Sequence, residues 1–263
     1  MNKAKDFEQG FLDKEMVNIV NNVKKKYAEC YEYIYKYNRL AYKVINKLQM
    51  TSVDTVKTYI LTVFVEIHNS YQSYILLLEH GAYEDSQIVL RSIYDKLFSL
   101  SFVIKDNSNL KYLYQNYVKE KLNTFKIIKK FNCFDLITMK DNDAVIKKYE
   151  NMLLKDNNEK ELKMYSTKKM AEELNMKEIY CHYRILSDYT HNDFMIVNDK
   201  ITYENSNVII DGGLNYKNFE VEVSKAVFCL EYIMKSICSC FKLDQINEEL
   251  RELSDKYITK LKN

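Results

Sequence analysis

Two side chains between residues 180 and 193 have the types and the spacing for acid–base chemistry on a phosphate. Arg184 and His191 are separated by six residues, and seven positions of an α-helix make about two turns, so both project from one face. An imidazole near neutral pH can accept or donate a proton, and a guanidinium stabilises charge on phosphoryl oxygens. The pair predicts metal-independent cleavage of an RNA phosphodiester, with His191 as the acid or base.

The scarcity of both residue types makes a site at this pair a hypothesis worth stating. The chain has 39 basic residues, of which only Arg39, Arg91, Arg184 and Arg251 are arginine, and it has 4 histidines. Most of its positive charge is therefore lysine, which cannot reproduce the planar guanidinium geometry on a phosphate.

Further polar side chains follow the same face of the predicted helix. Tyr180, Arg184, Ser187, Asp188 and His191 fall at i, i+4, i+7, i+8 and i+11, a stripe typical of a helix that lines a cleft. An exposed helix with an Arg184–Asp188 ion pair explains the same spacing. In a third interpretation, Arg184 and His191 only hold neighbouring structure in place.

A second charged pair, Arg91 and Asp95, lies one turn apart in an otherwise apolar segment. Charge in such surroundings is costly unless it is paired, which favours an ion pair that fixes helix packing. Alternatively, Arg91 reaches the cleft of His191, and Asp95 orients either Arg91 or the imidazole.

The elements that position these residues are predicted to be helices. The chain of 263 residues has no proline and only 4 glycines, and its apolar residues recur at three and four positions. We predict an all-α bundle of about eight or nine helices, with one small β-hairpin after the motif helix. It forms a single domain, 1–263, made of a peripheral N-terminal helix at 10–48 that breaks near Asn38, a core at 52–242 and a C-terminal helix at 243–262.

Composition excludes several classes of protein. The net charge is +2, which gives no strong global field for nucleic acid or membrane. No apolar run approaches the roughly 18 residues of a membrane span, and the first ten residues lack a signal peptide, so we predict a cytoplasmic protein without a membrane partner.

The 6 cysteines form no CxxC pair and predict reduced thiols. A metal at Cys229, Cys238 and Cys240 is a minor alternative, and we predict no metal and no cofactor.

Arg184 and His191 in an all-helical chain resemble the signature of the HEPN superfamily, an Arg followed by four to six variable residues and a His. Ile185 stands directly after Arg184, where active members often carry a polar residue. The longer stretches 81–95 and 183–191 resemble a bacterial family of unknown function within or near that superfamily.

The resemblance implies a metal-independent endoribonuclease of toxin or phage-defence type. It also implies a homodimer in which two motif helices form one cleft. In this interpretation His191 and Arg184 are catalytic, and Arg91, Asp95, Ser187, Asp188 and Tyr180 support them. The alternative is a nonenzymatic module whose Arg–His face binds a nucleotide, RNA or a cognate protein.

Overall fold

The computed structural model describes residues 10–48, 54–131, 139–155, 165–190, 200–204, 207–210 and 213–261. Within these ranges the chain forms ten α-helices, and the all-α bundle predicted from the sequence is confirmed. The helices are α1 Met16–Lys26, α2 Ala28–Lys47, α3 Thr55–Glu79, α4 Tyr83–Lys105, α5 Leu110–Phe131, α6 Met139–Lys155, α7 Thr167–Glu173, α8 Lys177–Thr190, α9 Phe219–Phe241 and α10 Asp244–Leu261.

The strands β1 Ile201–Glu204 and β2 Asn207–Ile210 follow α8. They pair antiparallel, with Ile201 opposite Ile210 and Glu204 opposite Asn207. A small hairpin was predicted after the motif helix, and the register places it at 201–210.

The antiparallel pair α3 and α4 forms the centre of the bundle, and local chemistry defines its turn. Asp54 caps α3 by accepting hydrogen bonds from the backbone N–H groups of Val56 and Lys57, as expected for an N-cap carboxylate. Gly81 follows α3 with a φ of +70°, a conformation that glycine adopts without the steric cost borne by other residues. The chain then reverses into α4, where Glu84 and Asp85 lie in the first turn.

The core lies where α9 crosses α3 and α4. All of the largest fully buried side chains come from α2, α3 and α4, among them Tyr37, Tyr71, Tyr74, Phe64 and Phe98. α9 adds an almost continuously buried apolar face that includes Val223, Leu230 and Ile237, and α2 and α10 pack against it. One hydrophobic cluster therefore includes residues of helices near both ends of the chain.

The first predicted helix is two helices in the structure. The chain breaks at Tyr27, which has φ −111° and ψ 33°, and the predicted break near Asn38 is wrong because Asn38 lies inside α2. The ring of Tyr27 stacks on Phe219 at the start of α9, with ring centroids 4.4 Å apart. The apolar spacing hides this break because α1 and α2 bury residues in the same core.

The α5–α6 pair is the least buried part of the fold. α5 buries only Val118 and Leu122, and α6 packs along α5. Among the described residues, no helix is both long and apolar enough to cross a membrane.

Candidate functional site

The motif helix α8 packs against α4 and α7 through one apolar face. Tyr183 and Leu186 are buried there, and Ile179 and Tyr180 pack at the edge of the same cluster. Residues three or four positions apart lie on the same side of a helix, so the opposite side of α8 faces solvent.

Arg184 lies on that solvent face. It is exposed, as are Ile185 and Asp188. The ion pair between Arg184 and Asp188 that their spacing favours is not formed, and no other described carboxylate comes within 4 Å of this guanidinium. Arg184 is therefore an accessible cation without an acidic partner in the described part of the chain.

Ser187 lies on the buried face, contrary to the prediction of a single open stripe. Its side chain is 6% exposed, and its hydroxyl donates to the carbonyl of Tyr183 at 3.1 Å. Thr190 in turn donates to the carbonyl of Ser187 at 2.7 Å. Fewer residues therefore share the exposed face than the spacing predicted. A helix turns about 100° per residue, so Ser187 lies next to Leu186 on the side that faces the core.

Tyr180 is half-buried and belongs to an aromatic cluster. Its ring stacks on Tyr183 with centroids 5.7 Å apart and meets the edge of Phe98 at 6.4 Å. Phe98 also contacts Tyr183 edge-on at 6.1 Å. These rings fix α8 against α4, so Tyr180 has a packing role in the described structure.

Arg91 reaches from α4 to α8 and does not pair with Asp95. An Arg91 guanidinium nitrogen donates to the Tyr183 hydroxyl at 3.1 Å, and the guanidinium lies 5.2 Å from the centre of the same ring. Its Nε is buried and has no hydrogen-bond acceptor among the described residues. Asp95 instead accepts from the Thr167 hydroxyl at 3.2 Å. The ion pair favoured by the sequence, within the helix or between helices, is not formed among the described residues, because Arg91 and Asp95 each bind a hydroxyl group of another element.

His191 lies outside the described residues. The predicted meeting of its imidazole with Arg184 therefore stays a prediction.

The last turn of α8 contacts the start of α4. Tyr189 meets Tyr83 edge-on, with ring centroids 6.1 Å apart. Just before β1, the Lys200 ammonium lies 3.9 Å from a Glu84 carboxylate oxygen. The beginning of α4 thus holds both the end of α8 and the beginning of the hairpin.

A buried carboxylate behind Tyr83 was missed by sequence reasoning. Glu222 of α9 is 2% exposed and accepts from Tyr74 at 3.0 Å, from Gln87 at 3.1 Å and from Lys225 at 2.7 Å. Burial and the charge of Glu222 raise the pKa of Tyr74 well above its ordinary value. The sequence signal was the position of Glu222 on the apolar face of α9, one residue before Val223 and four before Ala226.

His68 is a core histidine on α3. It is 1% exposed, its Nε2 lies 2.7 Å from the Asn38 side-chain oxygen, and burial lowers its pKa. Because that oxygen can only accept, the neutral ring donates its Nε2 proton. A neutral, hydrogen-bonded His68 has a structural role.

The cysteines considered as a metal alternative are poor ligands in this fold. Burial raises the pKa of Cys229 to about 12 and that of Cys238 to about 11, so the metal-binding thiolate is disfavoured. Cys240 is exposed. In the described ranges, no group of three or more His, Cys, Asp or Glu side chains is arranged to hold a metal ion.

Comparison with known proteins identifies the family of the chain. No curated protein and no solved structure matches it. A family model described as a family of unknown function, DUF5677, matches residues 57–208, which include Arg91, Arg184 and His191. Because the match covers more than half of the 263 residues, the chain belongs to the DUF5677 family.

Proposed function

We propose that the protein is a metal-independent endoribonuclease whose reacting groups are Arg184 and His191. The observation that carries the proposal is the state of Arg184, which is exposed on α8 and has no carboxylate partner among the described residues. A guanidinium used only for structure would be expected to pair with the nearby Asp188. An unpaired one keeps its donors for a phosphate.

The chemistry divides between the two side chains. His191 accepts the proton of the 2′-hydroxyl, the 2′ oxygen attacks the adjacent phosphorus, and the bond from phosphorus to the 5′ oxygen breaks as that oxygen takes a proton from water. Arg184 stabilises the charge on the non-bridging oxygens. The products of this step are a 2′,3′-cyclic phosphate and a 5′-hydroxyl, and no metal takes part.

The supporting residues have unequal roles in this proposal. Arg91 and Tyr180 hold α8 through Tyr183, and Asp95 holds α7 through Thr167. These contacts fix the backbone that carries Arg184. Asp188, exposed one turn beyond Arg184, orients either Arg184 or the imidazole once RNA is bound. Ser187 takes no part in the reaction.

The proposal extends to a cytoplasmic homodimer, with a role as a toxin or phage-defence ribonuclease and with a cognate protein partner. This part rests on the resemblance to the HEPN superfamily. Ile185 supports self-association, because it is 60% exposed beside Arg184 and gives α8 an apolar contact for a second copy.

Substitution of Arg184 tests the proposal. In EDTA, the wild-type protein should cleave a labelled RNA, and Arg184→Ala should reduce the rate by about 10²- to 10³-fold. Arg184→Lys should recover only part of the loss because an ammonium lacks the planar pair of donors. The matched control is Arg251→Ala, which removes an exposed arginine paired with Glu248 at 3.3 Å and should leave the rate unchanged.

The same experiment separates the nonenzymatic alternative. If RNA binds in an Arg184-dependent manner but no cleavage product forms, the face that carries Arg184 has a binding function and no catalytic one. If neither binding nor cleavage depends on Arg184, the site is rejected.

A further inference from the structure

The α5–α6 hairpin, Leu110–Phe131 with Met139–Lys155, concentrates the positive charge of the protein, and we call it the basic arm. It contains ten lysines and four acidic residues, so its net charge is +6, against +2 for the whole chain. All other residues together therefore carry −4. The protein as a whole is close to neutral, but this one element is strongly basic.

The arm is joined to the bundle through few buried side chains. Only Val118 and Leu122 of α5 are buried, and none of the described side chains of α6 is buried. The two helices hold each other, with Phe125 stacked on Tyr149 at 5.8 Å and the Tyr114 hydroxyl 3.7 Å from the sulfur of Met152. Most of the arm's surface therefore faces solvent.

Among the described residues, four exposed lysines of the arm have no acidic partner. Lys126 pairs with Glu150 at 2.9 Å, and Lys129 pairs with Asp143 at 2.6 Å. Lys111 interacts electrostatically with Asp106, and the four without an acidic partner are Lys121, Lys130, Lys147 and Lys148. Unpaired ammonium groups on adjacent helices can replace the counterions of a phosphate backbone.

Exposed aromatic rings lie next to these ammonium groups. Tyr114 is 45% exposed, Tyr117 is 47% exposed and Phe131 is 65% exposed. The Lys121 ammonium is 5.7 Å from the centre of the Tyr117 ring, and that of Lys130 is 5.6 Å from the centre of the Phe131 ring. A ring beside a cation offers a surface for base stacking together with a phosphate contact.

We propose that the basic arm binds single-stranded RNA. That RNA is the substrate rests on the proposed function, whereas binding by the arm does not. A membrane surface fits less well, because a membrane-bound helix needs a free apolar face. Val118 and Leu122 of α5 are buried and Phe125 stacks on Tyr149 of α6, so the exposed aliphatic and phenylalanine side chains of α5 are Ile127 and Phe131 near its end, which are too few for an apolar face along the helix.

A charge-reversal pair of variants tests the arm. Both are made in full-length His191→Ala protein, so that cleavage does not affect the binding curve. The arm variant carries Lys121→Glu, Lys130→Glu, Lys147→Glu and Lys148→Glu. The control changes four exposed lysines elsewhere, Lys25→Glu, Lys47→Glu, Lys217→Glu and Lys256→Glu, so the two proteins have the same net charge.

Affinity for a fluorescent 20-nucleotide RNA is measured at several salt concentrations. The arm variant should bind at least tenfold more weakly than the control. The slope of its plot of log affinity against log salt concentration should be smaller in magnitude by about 3, because each of the four lost phosphate contacts contributes about 0.7 to the slope. A separate variant, Tyr114→Leu with Tyr117→Leu, keeps apolar bulk and full charge, and it should weaken binding about tenfold by removing the stacking surfaces. Circular dichroism and melting temperature confirm that each variant is folded.

Equal loss in the arm and control variants would overturn the proposal, because net charge alone would then explain binding. Arm-dependent binding to anionic phosphatidylserine vesicles but not to RNA would also overturn it, in favour of a membrane surface. Cleavage by the wild-type protein is scored separately, so RNA binding without cleavage contradicts the proposed function and leaves the arm intact.

Discussion

The arginines at positions 91 and 184 have the same side chain and opposite surroundings. Arg91 is half-buried and bound to Tyr183, with its Nε buried and lacking an acceptor among the described residues. Arg184 is exposed and lacks an acidic partner in the same ranges. The contacts of Arg91 with Tyr183 position α8 against α4, while the exposed guanidinium of Arg184 is free to bind a ligand.

Acidification should destabilise the protein through His68. Burial lowers the folded-state pKa of this imidazole, so the unfolded chain binds more protons between that lowered value and about 6.5, the ordinary value. Stability is therefore lost as the pH falls through this window. Urea unfolding between pH 7.5 and pH 5 should show a decline that is smaller in His68→Gln.

The control for this prediction is His182→Asn, which changes an exposed histidine and should keep the wild-type decline. An unchanged pH dependence in His68→Gln would contradict the assignment of the titrating group.

At the scale of elements, the turn between α3 and α4 is fixed by close packing as well as by backbone conformation. A Cβ on Gly81 would lie 3.0 Å from the Cβ of Leu214 and 3.1 Å from the backbone nitrogen of Asn215. That nitrogen donates to the Gly81 carbonyl at 2.9 Å. The segment before α9 therefore lies directly on the turn.

Gly81→Ala should lower the free energy of unfolding by about 2–4 kcal/mol, from left-handed backbone strain together with crowding. Gly10→Ala is the matched control, because Gly10 has a similar φ of +55° and nothing within 4 Å of a Cβ. It should cost only about 1 kcal/mol. Chemical denaturation of the two variants measures the difference, and equal losses would show that crowding at Gly81 is relieved without cost.

Element positions were largely predictable from the sequence, because apolar periodicity and capping residues act locally. The helical periodicity that predicted an all-α chain runs through α5 and α8, and the side chains of Asp54 and Ser166 cap α3 and α7. The break at Tyr27 was not predictable, because its cause is a ring contact with Phe219, almost 200 residues away. Local patterns do not contain such contacts.

The candidate site was less predictable than the helices that carry it. Arg184 and Asp188, which their spacing placed on one face of the helix, are both exposed. Spacing did not locate Ser187, whose position depends on how α8 is rotated against α4. It also paired Arg91 with Asp95, whereas their partners, Tyr183 and Thr167, lie on other helices.

At the scale of the whole molecule, Glu222 links the three central helices. It joins α9 to α3 through Tyr74 and to α4 through Gln87, and Lys225 supplies the positive charge. A buried carboxylate with these partners fixes how the helices are arranged, since a shifted helix would leave the Tyr74 hydroxyl or the Gln87 amide without its acceptor.

Glu222→Ala should lower the free energy of unfolding by about 3 kcal/mol, because buried donors on Tyr74 and Gln87 lose their acceptor. Glu220→Ala removes an exposed carboxylate from the same turn of α9 and should cost about 0.5 kcal/mol. Thermal and urea unfolding compare the pair. A similar, small loss in both would show that the network adds nothing to the arrangement of the bundle.

The most direct test of the central claim is metal-free RNA cleavage by paired histidine variants. Labelled RNA is incubated in EDTA with the wild-type protein, with His191→Ala and with His182→Ala, an exposed histidine on the same α8. We expect the wild-type and His182→Ala proteins to leave 2′,3′-cyclic phosphate ends at equal rates, and His191→Ala to be at least about 100-fold slower. No cleavage by the wild-type protein, or equal cleavage by His191→Ala, would contradict the assignment of Arg184 and His191 as an RNA-cleaving pair.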